Sequence, residues 1–470
     1  GIPFVSIEDG LLRSVNLGDR DSPLSLVVDD LGIYYDASKP SRLEMLISQP
    51  LSQSRVERIR AVRLAWQTNR VSKYNHQPEY QGEKLPERYV LVVDQTLGDA
   101  SVQFGLANEQ SFNNMLDAAL AENPDCIVVI KIHPDVFCGR KKGYFDIEEL
   151  SAKARVRVLV EDVHPVSLIE QSQAIYVVTS QMGFEGLMWG KRVRTFGMPF
   201  YAGWGLTHDE LAAPDRRGSA TLDQLIHAAL IVYARYIDPE TAQRCEVERV
   251  VEWMGLQRRM RSRFPKRLYA VNFLPWKHRF VGVFFQGADL HFVERMAQVP
   301  EGEATVCWGV DQALLRNRNH GGADQSNRKQ KKAVCVEDGF LRSVGLGADV
   351  VQPISWVIDY RGIYYDATRP SDLEHLLLTT SFDDQLLARS EALQAQIVAS
   401  GLTKYNVGSG SWAPSSTHKN QDIQFKSGKI ILVPGQVESD ASIALGAQKL
   451  RRNIDLLQAS LLYPSDPPDE

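Results

Sequence analysis

The segment Glu8–Ser14 reads Glu-Asp-Gly-Leu-Leu-Arg-Ser, and it recurs with one change at Glu337–Ser343 as Glu-Asp-Gly-Phe-Leu-Arg-Ser. The two copies begin 329 residues apart (337 minus 8). Solenoid repeats have periods of roughly 20–50 residues, so this spacing is too long for a solenoid. It indicates a duplicated module, each copy of which is large enough to fold on its own.

Three further segments repeat in the same order in both halves of the chain. They pair Gly32–Asp36 with Gly362–Asp366, Lys73–Asn75 with Lys404–Asn406, and Gln95–Ser101 with Gln436–Ser442. The separation grows only from 329 to 341 residues (436 minus 95), so few insertions distinguish the copies.

The composition is that of an ordinary globular chain, with 470 residues of which 44% are hydrophobic and 24% charged. This length predicts about three domains of roughly 150 residues each. A net charge of −5 and a pI near 6.1 argue against a nucleic-acid-binding protein. The sequence has no apolar run of about 18 residues that would span a membrane. Five scattered cysteines without a C-x-x-C pair favour neither zinc nor a disulfide framework, and a reducing cytoplasm fits them best.

Strand and helix patterns alternate from Tyr89 onwards, beginning with the fully apolar segment Tyr89–Val93. A strand without polar alternation is typical of a parallel sheet that is covered on both faces. The pattern therefore predicts an α/β fold with doubly wound, Rossmann-like sheets. Polar residues repeatedly follow the predicted strands, and open α/β sheets bind ligands at that carboxyl edge.

The sequence predicts five regions in two copies. They are an N-terminal lobe at 1–85, an α/β lobe at 86–220, a helical connection at 221–264, the N-terminal lobe of the second copy at 265–420, and the start of its second lobe at 421–470. The second copy is preceded by a lead-in from about Arg267 that the first lacks, and it ends soon after Ser442. Both copies are therefore expected to be truncated in this segment.

Asp99 lies in the shared Gln-x-x-x-Asp-Ala-Ser block and has Asp440 as its counterpart. A carboxylate after a strand and near a helix start can act as a nucleophile or base held by backbone amides. An aspartate that merely caps the helix would produce the same pattern.

Two His-Pro pairs, at His133 and His164, also follow predicted strands. Such a histidine can bind a phosphate or protonate a leaving group, although a hydrogen-bonded loop histidine is the alternative. His133 follows the cleaner strand and has Lys131 two residues earlier, so it is the better candidate.

The segment Ser180–Leu187 is a small polar turn that opens into a helix containing Glu185. The helix amides would meet a phosphate, and Glu185 could accept hydrogen bonds from ribose hydroxyls. The segment matches neither a P-loop nor a dinucleotide fingerprint, and structural capping explains it equally well.

Glu8 and Asp9 end a predicted strand, and Arg13 follows four residues after Asp9. This group could be an acceptor-side base beside a guanidinium that binds a carboxylate. An internal salt bridge that fixes a turn is the alternative, and folding would preserve it in both copies as well.

The basic run Arg258–Arg267 could contact anionic lipid, with a solvated helix end as the alternative. No His, Asp and Glu cluster indicates a metal site.

Several of these segments together resemble the KpsC-type capsule polysaccharide β-Kdo transferases. The segments, which cover nearly the whole chain, are the two Glu-Asp-Gly repeats, Gly-Ile-Tyr-Tyr-Asp, Ser72–Asn75, the His-Pro pair and Pro199–Gly205. The resemblance implies two tandem GT-B-like glycosyltransferase modules, each with two Rossmann-like lobes. It also implies transfer of β-Kdo, with retention, from CMP-Kdo to a Kdo-bearing phosphatidylglycerol, which builds the poly-Kdo linker of the capsule.

The resemblance also implies roles for particular residues. Asp99 and Asp440 would be nucleophiles, and Glu8 and Glu337 would activate the acceptor. The residues expected to contact the donor are Gln95, Lys131, His133, Pro134, Ser180, Gln181, Gly183 and Glu185. Those expected to contact the acceptor or the sugar carboxylate are Arg13, Arg342, Lys73 and Lys404.

No metal or cofactor is expected, because the leaving group is a monophosphate that histidine or helix amides can stabilise. The expected location is cytoplasmic, with peripheral contact at the inner membrane and with other capsule-assembly proteins. The second module is expected to be inactive, since its nucleotide lobe is incomplete here. The alternatives are a transferase for another CMP-sugar, such as sialic acid, and a non-catalytic glycolipid-binding scaffold.

Overall fold

A computed structural model describes residues 4–18, 20–133, 136, 141–309, 333–408, 431–447 and 449–461. It divides into two compact units, Gly1–Arg263 and Phe264–Glu470. Each unit is described by itself.

The first unit contains ten strands among its described residues. They are β1 Ser6–Asp9, β2 Ser25–Asp29, β3 Tyr89–Val93, β4 Ile127–Lys131, β5 Val156–Leu159, β6 Ala174–Val177, β7 Arg192–Thr195, β8 His208–Asp209, β9 Ala234–Ile237 and β10 Arg244–Cys245. The α-helices are Arg42–Ile47, Gln53–Asn69, Ala100–Phe104, Glu109–Glu122, Ile147–Ser151, Pro165–Ile169, Met182–Met188, Leu222–Ile226 and Val247–Ser262, and a π-helix spans His227–Tyr233.

Six of these strands form a parallel sheet in the order β5-β4-β3-β6-β7-β8. The central strand β3 is buried along its whole length. Tyr89, Leu91 and Val93 point into one hydrophobic core, and Val90 and Val92 point into the other. The apolar run thus serves two cores at once, which confirms the predicted α/β arrangement with helices on both faces.

The remaining four strands form an antiparallel sheet in the order β1-β2-β9-β10. Strands β9 and β10 lie within 221–264, so the prediction of an entirely helical connection is wrong there. The side chains of β9 alternate between buried and exposed, which is the pattern of a strand, but four residues are too few to stand out in the sequence. The helix Val247–Ser262 then packs against Gln53–Asn69, so this region returns to the N-terminal lobe.

The second unit is built on one five-stranded sheet among its described residues. Its strands are β11 Arg267–Val271, β12 Asp289–Val293, β13 Ala304–Trp308, β14 Ala333–Asp338 and β15 Trp356–Asp359, in the order β12-β11-β13-β14-β15. Its described α-helices are His278–Phe284, Asp372–Thr379, Asp384–Ala399, Ala441–Gly446 and Asn453–Leu461.

The antiparallel pair β14–β15 repeats the pair β1–β2 of the first unit. Glu8 lies opposite Val27 in one pair, and Glu337 lies opposite Val357 in the other. The glycine after each acidic pair is required by packing, because a Cβ on Gly10 would lie 2.1 Å from Oγ of Ser25. The repeated sequence therefore encodes a repeated hairpin.

Candidate active site

A cavity of about 770 Å³ lies in the first unit where β3, β4 and β6 end. The six-stranded sheet supplies one wall, which includes Asp94, Gln95, Asp99, Lys131, His133 and Ser180. The N-terminal lobe supplies the opposite wall, which includes Glu8, Tyr34, Tyr35, Ser72 and Lys73. The cavity therefore lies between two lobes, at the edge where open α/β sheets bind ligands.

Gln95 joins the ends of β3 and β6, where the strand order of the sheet changes direction. Its Oε1 accepts a hydrogen bond from the backbone N–H of Thr179 at 3.0 Å. Its Nε2 donates to Oγ1 of Thr179 at 3.1 Å and to Oδ2 of Asp99 at 3.4 Å. The amide thus fixes the turn that presents Asp99 to the cavity.

Asp99 has both of the roles that the sequence left open. It caps the helix Ala100–Phe104, with Oδ1 accepting from the backbone N–H of Ser101 at 2.9 Å, and it also lines the cavity. Its counterpart Asp440 caps Ala441–Gly446 in the same way, through a 2.8 Å bond from the N–H of Ser442. The hydrogen bonds from Ser442 hold the pKa of the exposed Asp440 carboxyl below its usual value.

Lys131 places a buried positive charge in the cavity wall. Its side chain is only 4% exposed, and Nζ has no hydrogen-bond partner among the described residues. Burial lowers the pKa of this ammonium to about 8, partly opposed by the carboxylate of Asp162. A buried ammonium without a partner is unfavourable, so this position favours an anionic ligand.

The two histidines differ as the sequence predicted. His133 lines the cavity, while Pro134 lies outside the described residues. His164 is fully buried, and its Nε2 lies 2.7 Å from the carbonyl oxygen of Arg70. Burial lowers the pKa of His164 to about 3, so this side chain is neutral and structural.

Glu185 connects the two lobes from the first turn of Met182–Met188. It is 1% exposed and accepts hydrogen bonds from Oγ of Ser72 at 2.8 and 2.9 Å and from the N–H of Lys73 at 3.2 Å. Burial raises the pKa of this carboxyl to about 7. Its oxygens are thus engaged by the N-terminal lobe, and its contact with a ribose stays a prediction.

The other members of this segment have distinct positions. Ser180 lines the cavity, and Gln181 lines it while donating through Nε2 to the carbonyl oxygen of Leu11 at 2.7 Å. Gly183 is not among the lining residues. A Cβ there would lie 2.3 Å from the hydroxyl of Tyr201, so the absence of a side chain serves packing.

The structure separates the roles within the repeated Glu-Asp-Gly segment. Glu8 lines the cavity. Arg13 is 6% exposed, is not a lining residue, and donates through Nε to Oδ2 of Asp9 and through Nη1 to the carbonyl oxygen of Asp21 at 2.9 Å. Arg13 therefore forms the internal salt bridge that was the alternative to a carboxylate-binding role. Its guanidinium is already bonded within the turn and is not directed to a ligand.

The second copy repeats this division. Arg342 is buried and donates through Nε to Oδ2 of Asp338 at 2.6 Å, so its guanidinium also holds the turn. Burial raises the pKa of the Glu337 carboxyl. Lys404 is partly exposed, and its Nζ lies 5.4 Å from the ring centroid of Tyr405. Lys73 is its counterpart in the first unit: it lines the cavity, and its Nζ lies 5.9 Å from the ring centroid of Tyr74.

Tyr34, Tyr35 and Asp94 are among the cavity residues to which the sequence analysis assigned no role. Tyr34 and Tyr35 belong to the repeated segment Gly32–Asp36, so the repeat itself was a usable signal. Asp94 is not repeated, because Gly435 takes its place in the second copy, so the repeat could not point to it. Burial raises the pKa of Asp94 to about 7, and its Oδ2 has no hydrogen-bond partner among the described residues.

Two arginines of the basic run Arg258–Arg267 are engaged within the protein. Arg258 is buried and donates to Oε1 of Glu79 at 2.5 Å, and Arg261 donates to Oδ1 of Asn16 at 3.1 Å. These arginines are therefore structural rather than lipid-facing.

In the part of the chain that the structure describes, no helix has the length and apolarity to cross a bilayer. The same residues contain no group of three or more potential metal ligands.

The Rossmann-like parallel sheet of the first unit, with the cleft between it and the N-terminal lobe, defines a GT-B-like α/β protein. The chain belongs to the family described as capsule polysaccharide biosynthesis protein, whose profile matches residues 1–85, 56–236 and 303–462. It is 39% identical over 485 residues to the capsule polysaccharide modification protein LipA of Neisseria meningitidis serogroup B, covering 97% of this chain. It is 37% identical over 264 residues to the lipopolysaccharide-processing protein LpsZ of Rhizobium meliloti, covering 55% of this chain and 60% of that protein.

Two solved structures of Thermosulfurimonas dismutans KpsC are also similar. The beta Kdo 2,4 transferase is 43% identical with a TM-score of 0.51, over 54% of this chain and 80% of that one. The beta Kdo 2,7 transferase is 30% identical with a TM-score of 0.43, over 53% and 77%. The predicted family resemblance is thereby confirmed. The chain spans 65% of the length of the LipA relative.

Proposed function

We propose that the first unit is a retaining glycosyltransferase that moves β-Kdo from CMP-Kdo to a Kdo-bearing phosphatidylglycerol and so builds the poly-Kdo linker of a capsule. The observation that carries this proposal is the ammonium of Lys131, which has no hydrogen-bond partner among the described residues and lies in a cavity that Asp99 and Glu8 line from opposite lobes. CMP-Kdo brings a phosphate and a carboxylate, either of which would satisfy that ammonium.

The geometry is compatible with double displacement. Asp99 attacks the anomeric carbon as the bond to the CMP phosphate breaks, which leaves the sugar esterified to the carboxylate. Lys131 and His133 stabilise the departing phosphate. The acceptor hydroxyl then attacks the same carbon and loses its proton to Glu8, which releases Asp99 as a carboxylate. Two inversions at one carbon give net retention.

The direct test supplies CMP-Kdo and a Kdo-bearing phosphatidylglycerol and measures both CMP release and the lengthened glycolipid. We expect both products, and we expect CMP-sialic acid to yield neither. Transfer from CMP-sialic acid, with none from CMP-Kdo, would identify the protein as a transferase for another CMP-sugar. Tight binding of the glycolipid without any CMP release would favour the non-catalytic scaffold.

Lys131→Met should weaken binding of CMP-Kdo by roughly tenfold or more, since a charge-assisted hydrogen bond contributes about 1.5–3 kcal/mol. In the wild type, affinity should fall as the pH rises through about 8, because the free ammonium loses its proton there. Calorimetric titration at several pH values measures both effects. Lys153→Met, which removes a surface ion pair with Glu149, is the matched control. Equal affinities for the Lys131 variant and the wild type would contradict a role in donor binding.

A further inference from the structure

The tyrosine pair at positions 34 and 35 is a part of the cavity that the proposed reaction leaves unused. Both side chains line the cavity together with Glu8 and Asp99. The two rings meet edge to face with centroids 5.4 Å apart. Tyr34 also packs edge-on against Phe200 at 5.6 Å, so it is fixed in place and in turn holds Tyr35.

The hydroxyl of Tyr35 is available for a ligand. It makes no hydrogen bond to another described residue, and its ring is supported on its other side by Phe104 at a centroid distance of 6.1 Å. Burial raises the pKa of Tyr35, and the carboxylates of Glu8 and Asp99 both raise it further. The phenol is therefore neutral near pH 7 and can donate a hydrogen bond close to two carboxylates.

The second copy has the same arrangement. Tyr364 and Tyr365 meet edge to face at 5.4 Å, and Glu337 and Asp440 raise the pKa of both phenols after burial. A Cβ on Gly309 would lie 3.2 Å from the hydroxyl of Tyr365 and 3.9 Å from Oε2 of Glu337, so these two polar groups flank the same glycine.

Folding explains the rest of the repeated segment but not these hydroxyls. A Cβ on Gly32 would lie 2.5 Å from the carbonyl oxygen of Pro40, and Oδ1 of Asp36 accepts from the N–H of Ser38 at 3.0 Å. Phenylalanine would pack as Tyr35 does. A hydroxyl placed near two acids in each copy therefore points to a ligand with both hydrogen-bond donors and acceptors.

We propose that Tyr35 binds the sugar that is transferred, donating its hydroxyl to an oxygen of a pyranose that lies between Glu8 and Asp99. Tyr34 is a positioning residue that holds the ring of Tyr35, and Tyr364 and Tyr365 repeat this edge-to-face pair in the second copy. This inference rests on the proposed function, because it assumes that a sugar occupies the space between the two carboxylates.

The test compares two probes, CMP and CMP-Kdo, which differ only in the sugar. Tyr35→Phe should weaken CMP-Kdo binding by roughly tenfold, the upper end for one neutral hydrogen bond, and leave CMP binding unchanged. Tyr35→Ala should weaken it further. Tyr80→Phe is the matched control, since its hydroxyl donates to the carbonyl oxygen of Glu83 on the surface. A purely structural role would lower the affinities for both probes together and would overturn the inference, as would unchanged CMP-Kdo affinity.

A second measurement separates this inference from the proposed function. Saturation-transfer NMR with the methyl glycoside of Kdo reports sugar binding without any transfer. We expect a signal with the wild type and a much weaker one with Tyr35→Phe. If CMP-Kdo is not turned over but this difference persists, the proposed reaction fails and the sugar site stands. Absence of a signal with the wild type, or equal signals for both proteins, would overturn the sugar site.

Discussion

Asp99→Ala should lower the rate of Kdo transfer at least about 10³-fold, because loss of a catalytic nucleophile typically costs several orders of magnitude. Binding of CMP should change little, since the proposed mechanism assigns the phosphate to Lys131 and His133. Intact mass spectrometry after incubation with CMP-Kdo measures the intermediate directly. The wild type should gain the mass of one Kdo residue, and Asp99→Ala should gain none.

Two controls separate chemistry from helix capping at this position. Asp99→Asn retains an oxygen that can accept from Ser101 and should be equally inactive. Asp146→Ala removes a cap of the same kind, in which Oδ1 accepts from the N–H of Glu148 at 2.9 Å, at an exposed site outside the cavity. It should remain active. Turnover that survives Asp99→Ala but disappears in Asp440→Ala would contradict both the nucleophile and the inactive second module.

The contribution of Glu185 to the free energy of unfolding should fall as the pH rises from about 4.5 to about 7. Burial raises the pKa of Glu185 from 4.5 to about 7 in the folded protein, so the folded state holds the proton more tightly than the unfolded state between these values. Stability from this group is therefore complete below pH 4.5 and is lost as the pH rises through 7. The full loss is roughly 3 kcal/mol for a group this deeply buried.

Urea denaturation at a series of pH values measures this dependence. Glu185→Gln removes the titrating group and should flatten the curve, while Glu148→Gln at an exposed site should not. Asp94 contributes with the same sign, because burial raises its pKa from 3.8 to about 7, whereas His164, whose pKa burial lowers from 6.5 to about 3, contributes with the opposite sign. The test is therefore the difference between the slopes of the wild type and Glu185→Gln. A slope identical to that of the wild type would show that Ser72 and Lys73 stabilise the charged form of Glu185 more strongly than burial opposes it.

The large elements of the fold were predictable because they leave long signals in the sequence. The apolar run of β3 indicates a strand with a core on each side, and the alternation of strand and helix patterns after it indicates the α/β sheet. Strand β9 was missed because it has only four residues and pairs with β2, which lies about 200 residues earlier. Pairing over that distance decides the structure of so short a segment, and a local pattern does not contain it.

The candidate site shows a similar division. The positions of Asp99 and His133 after strands placed them at the correct edge of the sheet, as open α/β topology requires. The sequence did not reveal that the guanidinium of Arg13 is bonded to Asp9, nor that Nζ of Lys131 lacks a hydrogen-bond partner in the part of the chain that the structure describes. Both facts depend on which side chains meet in space. Spacing along the chain could not distinguish a salt bridge from a binding group.

The hairpin that begins with Glu8 has a consequence for recognising distant relatives. Asp9, Gly10, Arg13 and Ser14 hold the turn, whereas Glu8 alone among the acids of this segment faces the cleft. A protein that kept Asp-Gly-x-x-Arg-Ser but lacked the glutamate before it would still be found as a relative by a sequence search that uses this segment. It would keep the turn but lack the residue to which the proposed mechanism assigns the acceptor's proton, so this glutamate is the position to check before activity is inferred from the similarity.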